Sequence, residues 1–154
     1  MKRFDKLIFV SMGNASRSVM AEQLMKREHM MGPLDIYSAG LVVLFAEPIN
    51  PLADEVLRSH GLEAPDHVTK ALTPETFDGR TLILTMDESH KEKILETFGE
   101  VPNVYTLTEF IGREGNVMLP YGKGIEAYFE CFQSLRDMVH LLAVELNEEE
   151  LMGV

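Results

Sequence analysis

Cysteine occurs once in the 154 residues, at Cys131, which excludes an internal disulfide. Basic residues are also few: 14 Lys and Arg against 25 Asp and Glu leave a formal net charge of −11. A nucleic-acid partner is disfavoured on that balance, because such binding rests on neutralising phosphates with a basic face. Long apolar runs are absent too. None approaches the roughly 20 residues needed to span a bilayer, so no membrane partner is expected. The leading Met1-Lys2-Arg3-Phe4-Asp5-Lys6 carries no secretory pattern, and the cytoplasm is the expected compartment. Histidine, cysteine and carboxylate residues do not gather at metal-ligand spacings, so neither a metal nor another cofactor is expected. The oligomeric state is not legible.

What is present reads as one globular domain over residues 1–154. Hydrophobic residues make up 45% and charged residues 25%. A chain of this length buries about 68–70% of the surface its unfolded form exposes. Apolar runs alternate with helical patterns from end to end, which argues a parallel sheet with helices on both faces. The patterning predicts strands at Lys6–Val10, Asp35–Ser38, Thr81–Thr85 and Asn103–Thr106. Helices are predicted at about Arg17–Met31, Pro51–His60, Glu88–Phe98 and Gly124–Leu146. Glu145 and Glu148-Glu149-Glu150 read as a solvated, fraying helix end, and Cys131 as a small buried hydrophobe within the last helix.

The first strand, Leu7 to Val10, runs into Ser11-Met12-Gly13-Asn14-Ala15-Ser16-Arg17-Ser18 and then directly into an amphipathic helix. A strand, a tight loop and a helix start in that order turn backbone N–H groups inward. With the helix dipole and an arginine at the entry, the loop suits a tetrahedral dianion. In an open parallel sheet, ligands sit outside the carboxyl ends of the strands, where this loop falls. Residues Met12 to Ser18 are the expected phosphate-binding set. The distant carboxylates do not oppose this, being screened beyond a Debye length of roughly 8 Å.

The segment Ser11 to Ser18, continued by Val19-Met20-Ala21-Glu22, resembles the signature Cys-x-Gly-Asn-x-Cys-Arg-Ser-x-Met-Ala-Glu of the low-molecular-weight protein tyrosine phosphatase family. Tyr37-Ser38-Ala39-Gly40-Leu41, Asp66-His67-Val68, Leu82 to Asp87 and Leu119-Pro120-Tyr121-Gly122 match further family segments in order. Thr106-Leu107-Thr108-Glu109-Phe110 is similar to the bacterial branch that includes protein arginine phosphatases. The resemblance implies a doubly wound α/β domain with a four-stranded parallel sheet in the order 2-1-3-4.

Carried over residue by residue, it places Ser11 at the nucleophile position and Leu119 at the general-acid position. A serine hydroxyl stays protonated near neutrality, and the sequence offers no histidine at a spacing that suggests a partner base: His29, His60, His67 and His90 read as surface or structural. Leucine has no proton to give. Asn14 and Ser38 are expected to support the loop by side-chain hydrogen bonds, and Tyr121 and Phe45 to wall the cleft. Ala15 matches neither the threonine associated with phosphoarginine nor the bulkier aliphatic residue of tyrosine-directed relatives.

Three functions follow. A pseudophosphatase would bind phosphate or a phosphorylated protein side chain without cleaving it. A cysteine-dependent phosphatase of phosphotyrosine or phosphoarginine, altered to serine for trapping, would explain Ser11 but neither Leu119 nor Ser16. An interaction protein with a vestigial loop would have no need of Arg17.

Overall fold

The computed structural model describes residues 4–152. Of the leading segment, Met1, Lys2 and Arg3 lie outside the described residues. The chain runs β1 (Lys6–Ser11), α1 (Arg17–Arg27), β2 (Asp35–Gly40), α2 (Pro51–Ser59), a 3₁₀ turn (Pro74–Thr76), β3 (Thr81–Thr85), α3 (Glu88–Phe98), β4 (Val104–Thr106), α4 (Leu107–Phe110) and α5 (Ile125–Leu151). The four strands form one parallel sheet in the order β2-β1-β3-β4. This is the expected architecture.

β1 lies inside the sheet, with Lys6 opposite both Asp35 and Thr81. From Leu7 onward it is buried on both faces, which is why its sequence is continuously apolar rather than alternating. Its side chains divide between two cores. Leu7 and Phe9 join Leu82 and Leu84 beneath α1, α2 and α5, while Ile8 and Val10 join Ile83, Val104 and Ile94 of α3 on the other face. Burying a side chain such as Phe9 stabilises by about 1.5–3 kcal/mol. α1 is buried around most of its circumference, from Arg17 to Met25 with only Gln23 less covered, because the sheet and α5 enclose it.

Several boundaries differ from expectation for identifiable reasons. α1 stops at Arg27 rather than Met31, and the next residue, Glu28, is extended. Asn147 of α5 donates to the His29 carbonyl at 2.8 Å and accepts from the Met31 amide at 2.9 Å. Those backbone groups thus find tertiary partners instead of helical ones. α5 continues to Leu151, so the acidic segment Glu148 to Glu150 is helical. β1 and β2 each run further than predicted, ending with Ser11 paired to Gly40. α4 was not expected as a separate helix. It is nucleated by a capping box in which Thr106 Oγ1 accepts from the Glu109 amide and the Glu109 carboxylate accepts from the Thr106 amide.

Among the described residues no helix is long and apolar enough to cross a membrane. None of them form a group of three or more His, Cys, Asp or Glu placed to hold a metal ion.

Candidate functional site

The parallel register puts the carboxyl ends of all four strands at one edge, and the loop after β1 occupies the middle of it. Ser11 closes the strand, residues 12–16 turn, and Arg17 opens α1. Asn14 sets the shape of the turn. Its φ is +59°, a left-handed conformation that asparagine tolerates better than most residues, and it is fully buried. Its Oδ1 accepts from the Lys70 amide at 3.1 Å, and its Nδ2 donates to Ser18 Oγ at 3.1 Å. His67 Nε2 donates to the Asn14 carbonyl at 2.7 Å. Asn14→Ala therefore combines a strained φ with two lost buried hydrogen bonds. It is expected to lower the unfolding free energy by about 2–4 kcal/mol, measured as a fall in the urea midpoint.

Other loop carbonyls are also engaged. Met12 accepts from the amides of Leu41 and Val42 at 2.9 Å each, and Ala15 accepts from Asn50 at 2.9 Å. Close approach of β2 makes this possible. A Cβ on Gly40 would stand 3.0 Å from the Gly13 carbonyl carbon and 3.1 Å from the Asn14 Cβ, so only glycine lets loop and strand meet. By contrast, the amides of Gly13, Ala15 and Ser16 have no hydrogen-bond partner among the described residues. Together with the first N–H groups of α1, which have no intrahelical acceptor, they form an anion-binding concavity.

Ser11 sits at the base of this concavity, only 5% exposed. Its Oγ lies 2.6 Å from Ser18 Oγ and accepts from the Asn14 amide at 3.2 Å. Arg17 is equally buried; its Nη1 donates to the Val117 carbonyl at 2.8 Å and lies 3.9 Å from Asp87 Oδ2. Burial lowers its pKa from the ordinary value, with Asp87 opposing, yet a guanidinium stays charged at neutral pH. Asp87 caps α3. Burial works against its ionisation, but hydrogen bonds from the Ser89 amide and hydroxyl, with His90 and Arg17 nearby, hold its carboxyl below the usual range.

Over the loop opens a cleft of about 740 Å³. Its floor comes from Ser11 to Gly13 and Ala15 to Arg17, and its walls from Glu47 to Pro51, from Asp87, Ser89 and His90, and from Leu119 to Tyr121. Leu119 is 54% exposed at the rim, opposite the loop residues. The segment carrying it is pinned where the Asn116 side chain accepts from the Glu88 amide and the Val117 amide donates to Met86.

Two sequence expectations are corrected here. Ser38 does not bond the loop. Its Oγ donates to Glu22 Oε1 at 2.6 Å, tying β2 to α1, while Lys70 and His67 give the loop the support assigned to it. Phe45 does not line the cleft and is exposed. Thr69 bonds the Phe45 carbonyl and the Glu47 amide, which turns Glu47, Pro48 and Ile49 inward instead. Of the two readings open for His90, surface or structural, the second holds: it is buried in the cleft wall, where burial above all, with Arg17 adding, pushes its pKa down to about 4. No spacing in the sequence relates it to the loop. Tyr121 does stand on the wall, and Cys131 is a buried hydrophobe whose thiol burial pushes up to about 12.

With this geometry in view, the relatives are informative. The chain matches the family model described as "Low molecular weight phosphotyrosine protein phosphatase" over residues 6–151. It is 32% identical over 130 residues to the low molecular weight protein-tyrosine-phosphatase PtpB of Staphylococcus haemolyticus (strain JCSC1435), covering 84% of this chain and 91% of the relative. Among solved structures it aligns with the YwlE arginine phosphatase from Geobacillus stearothermophilus at a TM-score of 0.88 and 32% identity, covering 96% of each chain. It also aligns with a cysteine-to-serine mutant of YwlE arginine phosphatase bearing a phosphorylated active-site serine. There the TM-score is 0.84 and the identity 34%, over 92% of this chain and 95% of that one. The chain belongs to the low-molecular-weight phosphotyrosine protein phosphatase family.

Proposed function

We propose that this protein is a pseudophosphatase: it holds phosphate, or a phosphorylated protein side chain, in the loop from Ser11 to Ser18 and does not hydrolyse it. The observation that carries this reading is the pairing of an intact anion cradle with Ser11 at its base and Leu119 across the cleft. Ser11 Oγ is held by Ser18 and the Asn14 amide, and no histidine nitrogen bonds it to take its proton. Loss of a nucleophile costs on the order of a millionfold in a well-studied hydrolase, and loss of a general acid about 10²–10⁴-fold. A neutral hydroxyl also spares the bound dianion the repulsion of a thiolate. The protein then acts as an adaptor or sensor for a phosphorylated partner. Calorimetric titration of phosphate into the protein and into Arg17→Ala tests it: no binding to the unmodified chain leaves only a vestigial loop.

The mutant relative with a phosphorylated serine supports a second reading, in which Ser11 captures a phosphoryl group from a reactive donor. The P–N bond of a phosphoarginine would break as the P–Oγ bond forms, the hydroxyl proton passing to the departing guanidine. With no water-activating group, the serine ester would persist. Incubation with phosphoarginine should then add the mass of one phosphoryl group, abolished in Ser11→Ala. An unchanged mass spectrum removes this reading and leaves reversible binding.

A further inference from the structure

The charges lining the cleft do not suit the ligand its floor is shaped for. Arg17 is the one cationic side chain among the described lining residues, which also include two carboxylates, Glu47 and Asp87, the latter 3.9 Å from it. A dianion entering the loop would meet an excess of negative charge. The imidazole in the wall is that of His90, which is 3% exposed. Its Nδ1 has no hydrogen-bond partner among the described residues. Buried polar atoms without a partner are rare and call for an explanation in function or in a missing contact.

We infer that His90 belongs to the anion site as a proton acceptor: it takes a proton from solvent when a tetrahedral dianion occupies the loop, adding a second positive side chain to the cleft. The inference rests on the phosphate-binding reading above and extends it.

Burial and the Arg17 charge both keep the imidazole neutral, against the weaker attraction of Asp87. These are the charged groups that face it, Arg17 from α1 and Asp87 from the cap of α3, with Glu47 on the far wall. A dianion reverses the balance. It offsets the Arg17 charge and places two negative charges near the ring, and an opposite charge at close range raises a pKa by about 1–3 units. Because the bound form has the higher pKa, binding strengthens as pH falls through that value and weakens above it.

Sulfate is the suitable probe, since unlike phosphate it stays a dianion throughout the range. His90 ring resonances, assigned with His90→Gln, should titrate near 4 in the free protein. Under saturating sulfate the midpoint should rise by about one unit or more. Calorimetry between about pH 7.5 and 4.5 should show sulfate affinity rising at least about threefold in the unmodified protein and staying flatter in His90→Gln. His67, Asp87 and Glu47 are common to both proteins, so their contributions cancel. Arg17-dependent sulfate binding with an unmoved His90 midpoint overturns the inference while leaving phosphate binding intact. No sulfate binding at all removes the inference together with the reading beneath it.

Discussion

Ser11→Cys combined with Leu119→Asp is expected to turn this protein into a phosphatase, raising hydrolysis of p-nitrophenyl phosphate by at least about 10⁴-fold over the unmodified chain. The cradle already holds what a thiolate needs. The Asn14 amide and the Ser18 hydroxyl, now 3.2 and 2.6 Å from Ser11 Oγ, would hydrogen-bond the sulfur, with the start of α1 and Arg17 beside it. Such surroundings lower a cysteine pKa to about 3.5–7.5, so the nucleophile would be ionised at neutral pH. Leu119 tolerates replacement because it is half exposed and supports no core. Leu119→Asp alone should do nothing, since an acid without a nucleophile has no reaction to assist. Ser11→Cys alone should give a slower enzyme. The deficit should be small with p-nitrophenolate, which leaves without a proton, and should widen toward about 10²–10⁴-fold with phenyl phosphate, whose leaving group needs one. A double variant no faster than the parent would mean that Ser11 and Leu119 do not stand at the reacting positions.

The second large effect belongs to Arg17. Arg17→Ala is expected to weaken phosphate binding by about 100-fold or more, because truncating a buried, hydrogen-bonded charge at a binding site costs about 2–5 kcal/mol. Arg17→Lys should recover little, since an ammonium cannot present the paired, planar donors of a guanidinium. The substitution also leaves the Val117 carbonyl without its partner and Asp87 without its nearest positive charge. A thermal melt should accompany the titration to show that the variant is folded. Undiminished phosphate affinity in a folded Arg17→Ala would place the anion elsewhere and end the proposed function.

The sequence made the frame of this site readable and left its walls obscure, for a physical reason. The strand, loop and helix from Leu7 to Met25 are contiguous, so local patterning and a glycine-asparagine turn were enough to place Ser11, Asn14 and Arg17. α4 went unpredicted although Thr106 and Glu109 stand three residues apart, because a four-residue helix has no periodicity to announce it. The errors came where a partner lies far along the chain. The end of α1 depends on Asn147, more than 110 residues away. Ser38 could be assigned to the loop only until the Glu22 carboxylate was seen to be nearer to hand. His90 enters the cleft because β3 lies beside β1 in the sheet, a relation that no spacing records.

The hydrogen bond from Arg17 to the Val117 carbonyl joins residues 100 apart in sequence. No N-terminal portion of the chain can therefore assemble the cleft, even though the loop itself is complete by Ser18. On the proposed function, affinity for phosphate arises during synthesis only after the segment beyond α4 has emerged and docked. Ligand held by the finished fold alone stabilises it by RT ln(1 + [L]/Kd), so phosphate bound as proposed would select the completed chain over its partly folded precursors.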